Sequence, residues 1–288
     1  METGEYMKIL VTGVGGQLGY DVVKVLKERN IEYIGADLKE FDITNYAAAH
    51  RFITDYGPDA VIHCSAYTAV DRAEDEPELC RRVNAIGTEN IAKICKEIDA
   101  KMIYISTDYV FPGTGEEFYE VDSPTGPQNV YGQTKLEGEL AVKNILKKYF
   151  IVRISWVFGI NGNNFIKTML KLGNERSELN IVADQIGSPT YTADLAPILC
   201  DMVLTDKYGT YHATNEGICS WAEFAEEIFR IAKIDCKVNH IIAEEYPTKA
   251  ARPKNSRMSK RSLSEAEFKF LPSWQDALRR YLKEMSVL

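Results

Sequence analysis

Metal-ligating side chains are sparse in this 288-residue sequence. Its four histidines, His50, His63, His212 and His240, are scattered, and no His/Cys cluster offers a transition-metal site. The six cysteines (Cys64, Cys80, Cys95, Cys200, Cys219 and Cys236) never form a Cys-x-x-Cys pair. No charged n-region followed by an apolar stretch opens the chain, so these cysteines read as reduced thiols of a cytoplasmic protein. No apolar run approaches the length of a bilayer span, and a membrane is not an expected partner. Positive charge is in deficit, with 34 Lys and Arg against 42 Asp and Glu and a net charge of −8. Coating a duplex needs clustered cations facing phosphates, so nucleic acid is not an expected partner either. Internal repeats and low-complexity tracts are missing as well.

What is present is a chain with 45% hydrophobic residues, enough for a substantial core. The polar lead Met1–Tyr6 is expected to lie loose ahead of the fold. Short apolar runs then alternate with helical patterns, as in β-α-β units. Strands are expected at 8–12, 32–37, 60–66, 102–106 and 150–155, with a long helix over 79–98. Their near-continuous apolar character fits a sheet buried on both faces. The fold class is α/β: a Rossmann-type doubly wound parallel sheet over 1–155, and a smaller mixed α/β substrate lobe over 156–288 from which some segments can return to the first unit. In that lobe Ser220 with Glu223 forms a capping box and Ser273 an N-cap, while 246–261 reads as a surface loop.

Gly13-Val14-Gly15-Gly16-Gln17-Leu18-Gly19 follows the first strand and opens a helix. Glycines at 13, 16 and 19 let the chain turn tightly, bring backbone N–H groups to a pyrophosphate and pack the helix close to the sheet. Asp37, at the end of the second strand, can accept hydrogen bonds from an adenosine ribose and would repel a 2′-phosphate. That leans towards NADH, or towards use of both NADH and NADPH. Asp42 and Ile43 could flank the adenine, and Ala66, Tyr67 and Thr68 would lie along the cofactor in the same crevice.

Tyr131 and Lys135 stand four apart, on one face of a helix. An adjacent ammonium is expected to draw the phenol pKa from about 10 towards neutrality. Tyr20 and Lys24 repeat the spacing. Only Tyr131 has a strand-end hydroxyl upstream of it, in Ser106-Thr107-Asp108, so Thr107, Tyr131 and Lys135 are the candidate catalytic set and Tyr20 is packing or surface.

The chain resembles the extended short-chain dehydrogenase/reductases, and within them the dTDP-4-dehydrorhamnose reductases. The match includes Gly13 to Gly19, Ala66-Tyr-Thr-Ala-Val-Asp-Arg-Ala-Glu74, Val83-Asn-Ala85, Ser106-Thr-Asp-Tyr-Val-Phe111, Asn129-Val-Tyr-Gly-Gln-Thr-Lys135, Gly162-Asn-Asn-Phe165 and Arg252-Pro-Lys-Asn-Ser256. The resemblance implies reduction of the 4-keto group of dTDP-4-dehydro-β-L-rhamnose by NADH or NADPH. In that scheme Tyr131 gives the oxygen a proton, Thr107 holds it, and Lys135 holds the nicotinamide ribose. Asp108 and Trp156 match positions near the sugar. Arg252 is the candidate for the diphosphate, and Asn164, Asn255 and Ser256 add polar contacts. Some relatives hold Mg²⁺ at a homodimer interface through carboxylates, and Asp21 stands where one of these falls, as a shorter acid. The competing readings are another NDP-sugar reductase, epimerase or dehydratase of the same superfamily, and a non-catalytic dinucleotide-binding regulatory subunit. Tyr109, where dehydratases carry an acid, favours simple reduction.

Overall fold

Alternate residues of the first strand face opposite cores. In the computed structural model, which describes residues 7–287, Ile9 and Val11 pack on one face of the sheet and Leu10 on the other. Met1–Tyr6 lies outside the described residues. Strands β1 (Lys8–Thr12), β2 (Glu32–Ala36), β3 (Ala60–His63), β4 (Lys101–Thr107) and β5 (Tyr149–Ile154) run parallel in the order β2-β1-β3-β4-β5. A sixth strand, Gly209–His212, comes from the second half of the chain and pairs in parallel with β5. Helix α1 (Gln17–Glu28) and the Thr192–Val203 helix cover one face through Leu18, Val22, Leu195 and Leu199. The helices at Tyr46–Tyr56, Thr88–Glu97 and Val130–Ile145 cover the other through Ile53, Ile91 and Val142. Chain direction across the sheet reverses between β1 and β3, the position where doubly wound sheets open a crevice at their carboxyl edge.

Two elements of the first unit depart from the expected ones. The third strand stops at His63 instead of 66, because the Cys64–Ser65 backbone crosses Gly13 so closely that a Cβ there would lie 2.8 Å from the Ser65 nitrogen. The helix expected over 79–98 is divided into Pro77–Arg81, a π-helical turn at Arg82–Gly87, and Thr88–Glu97. That wider turn carries Asn84, whose carbonyl accepts a 2.7 Å bond from Thr88 Oγ1.

The second lobe packs around Phe158, Phe224, Trp274 and Tyr281. The capping box at Ser220 opens the Trp221–Ala232 helix, and Ser273 caps Trp274–Glu284. The stretch expected as a surface loop contains a buried strand, Asn255–Ser256, paired with Ile186–Gly187. Among the described residues no helix is long and apolar enough to cross a membrane.

Candidate active site

At the reversal point lies a cleft of about 1020 Å³, lined by the glycine loop, the ends of β2 and β4, and the start of the Val130–Ile145 helix. Gly13 has φ +71°, and a Cβ on Gly19 would sit 2.2 Å from the Gly13 oxygen, so both positions demand glycine. The Gly15 N–H donates to Asp37 Oδ2 at 2.6 Å, which fixes the carboxylate beside the loop. Gly13, Gly16, Gln17, Leu18 and Gly19 line this end of the cleft, followed by Asp37, Asp42 and Ile43. Ala66 and Thr68 line its wall. A backbone nest at a helix N-terminus with an acidic residue at the ribose position fits a dinucleotide, and these residues would hold one.

At the other end Thr107, Tyr131 and Lys135 all face the cleft, together with Asp108, Tyr109 and Trp156. Asn129 caps the helix by accepting from the Gly132 N–H at 2.7 Å. Gly132 lets that helix approach the turn after β4, since a Cβ there would lie 2.3 Å from the Tyr109 oxygen. The Tyr109 ring meets Tyr131 edge-on, with centroids 5.5 Å apart. Thr107 Oγ1 donates to Asp108 Oδ1 at 2.9 Å, and Ser256 Oγ donates to Asp108 Oδ2 at 2.5 Å.

The electrostatics differ from the expected pull of Lys135 on the phenol. Burial pushes Tyr131 up, with the Asp108 carboxylate acting in the same direction, and hydrogen bonding with Thr107 opposes them. Tyr131 therefore stays a protonated donor at neutral pH. Burial also brings Lys135 down to about 7, against the attraction of Glu139. Asp108 is pushed up to about 6 by burial in spite of its two hydroxyl donors. The site thus gathers the Thr107 hydroxyl, the Tyr131 phenol and the weakened Lys135 ammonium in one cleft, beside the Asp108 carboxyl and the Tyr109 phenol.

Residues 7–287 match the family model described as the RmlD substrate binding domain. A crystal structure of a dTDP-4-dehydrorhamnose reductase from Clostridium acetobutylicum is 44% identical, covering 97% of this chain and 100% of that one, with a TM-score of 0.95. The chain belongs to the dTDP-4-dehydrorhamnose reductase family. A Bacillus anthracis reductase in complex with NADP is also 44% identical, covering 96% and 99% of the two chains with a TM-score of 0.94. The spore coat polysaccharide biosynthesis protein SpsK of Bacillus subtilis is 40% identical over 97% of this chain and 98% of its own.

Within this reductase fold several expected contacts are made elsewhere. Tyr67 is turned out of the cleft, its hydroxyl donating to Glu76 at 2.7 Å. Asn164 caps the Phe165–Glu175 helix, and its amide donates to Gln17 of the glycine loop, Gly159 and Tyr281, so it ties the lobe to that loop. Asn255 is buried and donates to the Thr114 and Glu117 carbonyls. Ser256 lies one layer behind the cleft, on Asp108. Arg252 is tied to Asp71 at 2.6 Å and, at 3.0 Å, to the hydroxyl of Tyr109, a residue that lines the cleft. Trp156 does line it, in a left-handed conformation (φ +50°) and stacked on Trp221 at 3.7 Å. Tyr20 is exposed on α1, away from the cleft.

Asp21 does not build a metal site within the chain. It is buried, accepts a 2.5 Å bond from Thr192 Oγ1 and is pushed up by burial. Among the described residues no three His, Cys, Asp or Glu side chains converge to hold a metal.

Two buried residues of the site carried no assigned role in the sequence. Asn84 clamps the backbone of Tyr67 on both sides, accepting from its N–H at 2.8 Å and donating to its carbonyl at 3.1 Å. It also donates to Thr134, next to Lys135, at 3.2 Å. Its motif, Val83-Asn-Ala85, was visible, but the contact depends on the π-turn. Glu139 is the other, and its only sequence signal is its place one turn beyond Lys135.

Proposed function

We propose that this chain reduces the 4-keto group of dTDP-4-dehydro-β-L-rhamnose to give dTDP-L-rhamnose, with NADH or NADPH as reductant. The observation that carries this reading is the convergence of Thr107, Tyr131 and Lys135 on one cleft beside the glycine loop. Bound NAD(P)H supplies the hydride. As negative charge develops on the carbonyl oxygen, the Tyr131 hydroxyl gives it a proton and Thr107, turning its one O–H away from Asp108 Oδ1, orients it by a hydrogen bond. In this reading Lys135 holds the nicotinamide ribose hydroxyls. Asp108 and Trp156 bound the sugar end, a carboxylate for hydroxyls and an indole face for the ring.

Residues 1–155 serve the dinucleotide and 156–288 the sugar nucleotide, with the Gly209–His212 strand completing the first sheet. A cytoplasmic setting suits six cysteines that are all free, and a homodimer is compatible with this scheme. Oxidation of NADH and of NADPH, followed in parallel with dTDP-4-dehydro-L-rhamnose and with or without chelator, tests the assignment. Substrate-dependent oxidation unaffected by chelator is expected. No oxidation with either nucleotide would move the chain to the regulatory class.

Asp37 sets the nucleotide preference in this reading. Its carboxylate, fixed by Gly15, opposes a 2′-phosphate by like-charge repulsion. Asp37→Ser should raise the NADPH-to-NADH ratio of kcat/KM by about tenfold, roughly 1.4 kcal/mol. An unchanged ratio would show that the adenosine ribose lies elsewhere.

A further inference from the structure

Tyr131, Lys135 and Glu139 recur every four residues along one helix and share a face. The first two reach the cleft, and the third is fully buried behind them. Glu139 accepts from Ser106 Oγ at 2.6 Å, and from Arg153 Nε at 2.8 Å and Nη2 at 2.7 Å. Ser106 and Arg153 are register partners on β4 and β5. One carboxylate therefore joins the helix of Tyr131 to the two strands that end in Thr107 and lead into Trp156. A buried ion pair is a poor source of stability compared with packed apolar side chains, so its value here is positional.

We propose that Glu139 is a positioning residue of the reaction, supplying the buried counter-charge for Lys135 and locking the Tyr131–Lys135 face of its helix to the strand ends at Thr107 and Trp156. The other groups facing Lys135 are neutral at physiological pH. Burial pushes the Cys64 and Cys80 thiols up, pushes the Tyr104 and Tyr131 phenols up, and brings His63 down to about 3. The Tyr104 ring, with its centroid 4.2 Å from Lys135 Nζ, offers only a π-face. Glu139 is the one carboxylate that opposes the effect of burial on Lys135. Its own charge is secured by Arg153, whose Nη1 is held by the Val121 carbonyl and whose guanidinium lies over Phe111. Lys143, 3.6 Å from Glu139, adds a second cation.

This inference rests on the reading of Lys135 as a residue of the reductase site, and Lys135→Met tests that reading separately. Full activity in Lys135→Met would remove the assigned role of Lys135 itself. The inference is tested by the pH dependence of kcat/KM for NADH in the intact chain carrying Glu139→Gln, Glu139→Gln with Arg153→Met, or Glu139→Asp. The double variant leaves no unpaired guanidinium in the core and is the one expected to fold most readily. In Glu139→Gln the alkaline fall in kcat/KM should move down by about one pH unit, a tenfold loss on that limb, because the charged lysine has lost its partner; in the double variant it should move in the same direction by less, because the Arg153 cation goes with the carboxylate. Glu139→Asp should keep the limb of the unsubstituted chain with a lower plateau. A folded Gln variant that loses rate but keeps the limb in place overturns the proposal, as does a displaced limb in the Asp variant.

Discussion

Tyr131→Phe should bind NADH as the unsubstituted chain does and lose about 10²- to 10⁴-fold in kcat, the usual worth of a positioned proton donor. The substitution removes one oxygen and little else. The ring remains packed edge-on to Tyr109, and Thr107 still has its Asp108 partner at 2.9 Å, so no buried donor is stranded. The glycine loop and Asp37 at the far end of the cleft are untouched. A nucleotide titration should therefore be unchanged while steady-state turnover collapses. Turnover within a few-fold of the unsubstituted chain would place the proton donor elsewhere. Asp108 would then be the next group to test, since burial pushes it up to about 6 and lets it hold a proton closer to neutrality.

The direction of the Tyr131 shift bears on how that donor works. Sequence spacing alone pairs Tyr131 with Lys135 and leads to the expectation of an acidified phenol. In the folded chain burial dominates both groups and moves them the opposite way, phenol up and ammonium down. A phenol kept protonated suits reduction, where the developing alkoxide is the stronger base and draws the proton when it forms. A phenolate already present at neutral pH would suit the reverse oxidation.

The glycine loop, the parallel strands and the Thr107, Tyr131 and Lys135 set were legible because each depends on local pattern. Gly13 answers to its own positive φ and Gly19 to the Gly13 carbonyl one turn away, and Tyr131 and Lys135 to the pitch of one helix. The polar residues of the second lobe were not legible for the opposite reason. Asn164, Asn255 and Arg252 bear side chains that suit a ligand, yet each is engaged by a group more than a hundred residues away: Gln17 for Asn164, Glu117 for Asn255, Asp71 for Arg252. Residue type gives chemical capacity, and only tertiary pairing says where that capacity is spent. Glu139 is the converse case. A glutamate in mid-helix reads as a solvated face until the β4–β5 register brings Ser106 and Arg153 to it.

Arg153→Met should destabilise the fold by about 3–5 kcal/mol at neutral pH, since it leaves Glu139 in the core with only the partly exposed Lys143, 3.6 Å away, as a cation. Both side chains are almost wholly buried, 2% and 0% exposed. Methionine retains much of the apolar stem but neither the guanidinium over Phe111 nor the donors to Glu139. Adding Glu139→Gln should recover most of the loss, because removing both charges avoids the penalty that removing one incurs. The pH dependence carries a sign that packing loss alone would not give. In the unsubstituted chain burial tends to raise the Glu139 carboxyl, but the Arg153 hydrogen bonds and charge outweigh it and hold it below 4.5. Its contribution is therefore present above pH 4.5 and is lost as pH falls through the folded-state value. Without Arg153, burial is expected to raise the carboxyl above 4.5. The folded variant then binds more protons than the unfolded one in that window, and its stability falls as pH rises. The gap between the two proteins should consequently widen from mildly acidic to neutral pH in urea unfolding. A gap of the same size at both pH values would mean that the lost packing, not the stranded carboxylate, accounts for the destabilisation.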